Sequence, residues 1–223
     1  KKYDLIVREN IINTDLNDTL IISYQFNKES FDCNLSTINP SYGTLTTKGT
    51  RKALQTEYYV GTGSAEINDN LYYNIEMDSY HFNQNKYTLC FWLFLNEECE
   101  TNKYILYTEY QNQIEPRFSF KYTNDNKLEF IPTTGNSIFS STKINKNKWY
   151  HITIIIDDSS TNDKYLQINI NGVKDIKEIA QDINFITPKE NNANIYLGHS
   201  NASDRINGYI DDFRIYTTTL TTD

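Results

Sequence analysis

Two-residue alternation constrains this chain more than any other feature. Between positions 149 and 156, Tyr150, Ile152, Ile154 and Ile156 fall on every second residue. Successive side chains of an extended strand point to opposite faces, so these four share one face. The run is rich in β-branched residues, which lose rotamer freedom in a helix. Positions 165–170 repeat the pattern with Leu166, Ile168 and Ile170. Asn171-Gly172 follows, a dipeptide suited to the two positive-φ positions of a type I′ hairpin turn, and Val173 starts the return strand. The 3.6-residue repeat of a helix is nearly absent. Only 174–183 is expected to form a turn or short helix.

The same reading extends along the chain. Strands are expected at 20–26, 104–110, 117–122, 128–131, 194–198 and 209–216, and the near-continuous apolar run at 88–95 suits a strand covered on both faces. Pro116 separates two of these runs, and 123–127 (Thr-Asn-Asp-Asn-Lys) is turn chemistry. Many short strands divided by turns predict an all-β fold, a sandwich or barrel. There is no internal repeat and no low-complexity linker. At 223 residues the chain is long for one domain, yet within the range of single β-sandwiches.

Composition narrows the partners. The net charge of −8 and sequence pI of about 4.9 argue against nucleic acid and anionic membrane surfaces, which select dense Lys/Arg patches. No apolar run is long enough to span a bilayer as a helix, so no direct membrane insertion is expected. Lys1-Lys2-Tyr3-Asp4 opens straight into an alternating pattern, which is expected of a mature protein or an excised domain. Cys33, Cys90 and Cys99 allow three pairings for one bridge, or three free thiols. No Cys-x-x-Cys occurs, which removes a zinc ribbon and a redox motif.

The order of the later strands carries a resemblance. A Phe91-Trp92 strand is followed by Lys148-Trp149-Tyr150-His151. A strand ending in Asn171-Gly172 comes next, then Ile195-Tyr196-Leu197-Gly198, and Gly208-Tyr209-Ile210-Asp211-Asp212-Phe213-Arg214-Ile215-Tyr216 closes the series. Together with the early Tyr24-Gln25-Phe26 strand, this resembles the laminin G-like group of the concanavalin A-like lectin/glucanase superfamily, over roughly 20–222. The resemblance implies a two-sheet antiparallel jelly-roll sandwich with six or seven strands in each sheet and the first and last strands side by side. Residues 20–223 are then the laminin G-like domain, and 1–19 an N-terminal arm or extra strand.

Function does not follow from that fold, which hosts lectins, adhesion modules, toxin subdomains and glycosidases. The glycosidase branch carries Glu-x-Asp-x-x-Glu on one strand; the nearest match, from Glu76 through Asp78 to His81, lacks the last acid and reads as a solvated loop. His151 reads as a packed strand histidine, and no Gly-x-Ser-x-Gly elbow is present. The resemblance implies one structural Ca²⁺, with Asp211 as its carboxylate and carbonyls near Asp32 or Gly43 completing the cage. The competing reading gives one of Asp211 and Asp212 to backbone hydrogen bonds or Arg214, and the other to water. Asp157, Asp158 and Asp163 read as a solvated hairpin tip.

Candidate recognition groups are the rings of Tyr58, Tyr59, Tyr72, Tyr73, Tyr80, His81, Tyr107 and Tyr110, near expected loops. Asn191, Asn192, His199, Ser200, Asn201, Asp204 and Arg205 are the polar candidates. Three glycosylation sequons begin at Asn17, Asn34 and Asn201. The expectation is a non-catalytic recognition module, secreted or at the cell surface, that binds glycan or protein through a loop rim or concave face and serves in carbohydrate binding or cell adhesion. A structural subunit docking into a larger assembly is the alternative, ahead of a glycoside hydrolase or a toxin receptor-binding subdomain.

Overall fold

The computed structural model describes residues 19–24, 26, 43–49, 57–77, 85–110, 118–159, 164–179 and 193–220. Among these, fourteen strands form two seven-stranded antiparallel sheets. The strands are β1 (Leu20–Tyr24), β2 (Gly43–Lys48), β3 (Ala65–Ile67), β4 (Tyr72–Met77), β5 (Lys86–Leu95), β6 (Lys103–Tyr110) and β7 (Phe118–Tyr122). They continue as β8 (Leu128–Pro132), β9 (Ile138–Phe139), β10 (Trp149–Asp157), β11 (Tyr165–Ile170), β12 (Val173–Ile179), β13 (Ala193–Leu197) and β14 (Gly208–Tyr216). The first sheet runs β1-β14-β5-β10-β11-β12, with β3 also on β14; the second runs β2-β4-β13-β6-β7-β8-β9. The jelly-roll sandwich is as expected, and so is the pairing of β1 with β14.

Alternation explains the core. Leu89, Phe91 and Leu93 of β5 are buried beside Ile152 and Ile154 of β10 and Leu166 and Ile168 of β11. Tyr73, Ile75, Leu106, Phe120, Phe130, Ile195 and Leu197 face them from the second sheet. Phe91 meets Phe120 edge-on across the gap at 6.3 Å and lies 6.0 Å from Phe213. Each such side chain contributes about 1.5–3 kcal/mol by leaving water.

The Asn171-Gly172 turn has φ of 54° and 77°, the I′ signature. Asn171 Oδ1 also accepts the His151 N–H at 2.9 Å. Two expectations need correction. Residues 173–179 are strand β12, not helix, paired with β11 through Ile168↔Ile176. Their Lys and Glu residues favour helices locally, but the tight turn delivers the chain to the open edge of β11, and ladder pairing wins. Glu76, expected in a solvated loop, lies in β4 with Tyr72 and Tyr73, inside the second sheet between β2 and β13, where Tyr72 opens the strand just after the 69–70 turn.

Candidate functional site

The outer face of the second sheet gathers rings that are far apart in sequence. In β4, Tyr73, Ile75 and Met77 face the core, which turns Tyr72, Asn74 and Glu76 outward. Ala193, Ile195 and Leu197 do the same in β13 and turn out Asn194 and Tyr196. In register, Asn74 sits beside Tyr196, and Tyr196 beside Tyr107 of β6. Ring centroids lie 6.1 Å apart for Tyr72–Tyr196, 6.2 Å for Tyr196–Tyr107 and 5.3 Å for Tyr107–Tyr104. The result is a half-buried tyrosine row across three neighbouring strands.

One end of the row is closed by the loop after β13. Gly198 takes φ of 90° there, and its N–H reaches Ile105 O at 2.7 Å. His199 then stacks on Tyr104 at 4.5 Å and meets Tyr107 edge-on at 4.4 Å. Its Nδ1 accepts the Asn201 N–H at 2.9 Å. Burial holds the imidazole below its usual pKa, against the pull of Asp204, so the ring is neutral at neutral pH. Arg205 is buried under the same loop. It donates to the carbonyls of Asp69 (2.8 Å), Asn68 (3.3 Å), Ser200 (2.7 Å) and His199, and its guanidinium covers the Tyr72 ring at 4.1 Å. Lys121 Nζ lies 4.2 Å from the Tyr104 ring centre. Both cations are thus engaged with rings.

The polar groups between the rings are less evenly satisfied. Tyr196 Oη donates to Glu109 Oε2 at 2.9 Å. Burial first, and Glu109 second, push the Tyr196 and Tyr107 phenols up, so both stay protonated. Asn74 Nδ2 donates to Asn194 Oδ1 at 3.2 Å, while Asn74 Oδ1 is buried with no partner.

The first sheet carries a second aromatic group on its outer face. Tyr59 stacks on Trp92 at 3.5 Å, Trp92 meets His151 edge-on at 5.0 Å, and Phe94 contacts Trp149 and Tyr209. Asp211 anchors this group. Its carboxylate accepts the N–H groups of Tyr59 (2.8 Å), Val60 (2.7 Å) and Asp212 (2.7 Å). Burial outweighs these donors and pushes its carboxyl up to about 6. Asp212 occupies a bulge with φ of 47° and pairs with Arg214 at 2.9 Å.

That arrangement does not fit the expected Ca²⁺ cage. Three N–H donors already give the Asp211 carboxylate the positive partners a cation would supply. Gly43 starts β2 in the opposite sheet, in register with Met77, and Asp32 lies outside the described residues. Among the described residues no group of three or more His, Cys, Asp or Glu is placed to hold a metal. Asp157 and Asp158 are not a free acidic tip; they pair with Lys86 (3.3 Å) and Lys164 (2.7 Å). Cys90 and Cys99 are free thiols.

Of the expected recognition residues, the structure brings Tyr72, Tyr107, His199 and Arg205 together. Tyr58 and Tyr59 go to the other sheet's side, and Tyr73 turns into the core. Asn201 is exposed, with Nδ2 donating to Asp204 Oδ2 at 2.9 Å. Tyr80, His81, Asn191, Asn192, Asp78, Asp163, Cys33, Asn17 and Asn34 lie outside the described residues, as does nearly all of the expected arm. The sequence reading missed Asn74, Tyr104, Glu109, Lys121, Asn194 and Tyr196. Alternation in 72–77 and 193–197 was the available signal.

A family model of laminin G type, described as the concanavalin A-like lectin/glucanases superfamily, matches residues 44–223. The chain belongs to the concanavalin A-like lectin/glucanase superfamily. No curated protein sequence matches it. Among solved structures, the receptor binding domain of botulinum neurotoxin mosaic serotype C/D is similar, with a TM-score of 0.69 and 17% identity over 92% of this chain and 49% of that one. The binding domain of botulinum neurotoxin DC in complex with rat synaptotagmin II gives 0.61 and 18%, over 92% and 50%. Domain 4 of AbnA, an extracellular arabinanase from Geobacillus stearothermophilus in complex with arabinotriose, gives 0.60 and 18%, over 91% and 94%. The chain thus spans about half of the toxin domains and nearly all of the arabinanase domain. At these identities the similarity shows the fold of this superfamily member, a lectin-like fold.

Proposed function

We propose that this protein is a non-catalytic glycan-binding module of a secreted or cell-surface protein, with its ligand seated on the tyrosine face of the second sheet. The observation that carries this is the row Tyr72, Tyr196, Tyr107 and Tyr104, interleaved with Asn74, Asn194 and Glu109. Sugar rings offer apolar C–H faces and a rim of hydroxyls, and aromatic rings with amides and carboxylates between them match both. A similar domain of an arabinanase, in complex with arabinotriose, supports the reading. Hydrolysis is disfavoured, because the nearest match to the glycosidase motif has His81 where its last acid would stand. An oligosaccharide array read with wild type and Tyr107→Ala tests the proposal. Loss of stacking is expected to weaken binding about tenfold, a cost of roughly 1.4 kcal/mol. Equal binding by the variant, or released monosaccharide, contradicts it.

The second reading is a protein partner on the opposite sheet. It is favoured by Tyr58 and Tyr59, which are 43% and 42% exposed beside the Trp92 cluster. The synaptotagmin II complex of a similar toxin domain gives it a precedent.

A further inference from the structure

We infer that Asn74 and Asn194, with Glu76 and Glu109 beside them, form a hydroxyl-reading subsite that selects neutral over anionic oligosaccharides. This deepens the glycan reading and rests on it. The first observation is the unpartnered Asn74 Oδ1, on a residue only 6% exposed. A buried amide oxygen without a donor costs stability, and a turn of the Asn74 amide away from its bond to Asn194 presents that oxygen to a sugar hydroxyl, direct or through one ordered water.

The second observation is charge. Asn194 of β13 is in register with Glu76 on one side and Glu109 on the other. Neighbouring strands lie about 4.8 Å apart, so the two acids stand on backbones roughly 10 Å from each other with Asn194 between them and Asn74 two residues from Glu76 on β4. A carboxylate or sulfate on the ligand would meet negative charge from both sides. The nearby cations offer little relief. Arg205 is buried, with four carbonyl contacts and the Tyr72 ring against it, and Lys121 lies over Tyr104. A neutral ligand instead finds acceptors in Asn74, Glu76 and Glu109, and Nδ2 donors in the two amides.

The test is calorimetric titration with arabino-, xylo- and cello-oligosaccharides and with uronate- or sulfate-bearing counterparts. Wild type is expected to bind at least one neutral series, and its charged counterpart about tenfold more weakly. The double variant Glu76→Gln/Glu109→Gln should bring the two to near parity. Asn74→Ala removes the unpartnered acceptor together with the Nδ2 bond to Asn194, and should weaken neutral binding about tenfold in protein that is still folded at the titration temperature. Charged ligands bound as tightly as neutral ones by wild type overturn the inference. So does unchanged neutral binding by Asn74→Ala, or a folded Glu76→Gln/Glu109→Gln variant that still discriminates against the charged ligands. The two readings fail separately. If Tyr107→Ala loses neutral binding and Asn74→Ala does not, only the subsite falls; if wild type binds neither class, the glycan reading falls with it.

Discussion

Asp211 shows how one side chain can look like a ligand and act as an anchor. Its carboxylate holds the 59–60 backbone against β14, and so places Tyr59 on Trp92. The carboxyl titrates near 6 in the folded protein against about 3.9 when exposed. The folded state therefore binds this proton more readily than the unfolded chain, and the group's contribution to stability falls as pH rises from about 4 to 6. The drop is of the order of 3 kcal/mol for a shift that size. Asp211→Asn removes the titration. Urea melts across this pH window should show wild type losing stability relative to the variant as pH rises; parallel profiles would contradict the account. The Asp211-Asp212 pair was visible in the sequence. Which of the two turned toward the N–H donors was not, because a bulge between them breaks the alternation.

At the scale of elements, legibility followed how cleanly apolar and polar residues alternate. Strands β10 and β11 keep one face purely apolar, so they were readable with their turn. Strand β12 carries helix-favouring Lys and Glu and owes its form to its neighbour. Strand β4 alternates too, but an aromatic on each face and Asn74 on the outer one hid its period. The hairpin gives a direct test. A Cβ built on Gly172 would meet nothing within 4 Å, yet its φ is 77°. Gly172→Ala is therefore expected to cost about 1 kcal/mol through backbone conformation alone. Urea denaturation should show this as a lower midpoint with an unchanged slope. An unchanged midpoint would mean that the turn does not hold the register.

For the whole molecule, the two sheets assign different roles to their outer faces. The first carries a cluster pinned by Asp211; the second carries the tyrosine row and its unevenly satisfied amides. The fold was legible because alternation is local. The site was not, because Asn74 and Asn194 are 120 residues apart and meet only through strand order. The donor set at Asp211 predicts that Ca²⁺ leaves the melting temperature unchanged; a rise with added Ca²⁺, reversed by chelator, would contradict this. The location of ligand binding is the central claim. It is tested most directly by amide NMR shifts of the isotope-labelled protein titrated with arabinotriose and other neutral oligosaccharides. The account predicts saturable shifts centred on Asn74, Tyr107, Asn194, Tyr196 and His199; shifts centred on Tyr58 to Val60, or none with any oligosaccharide, would contradict it.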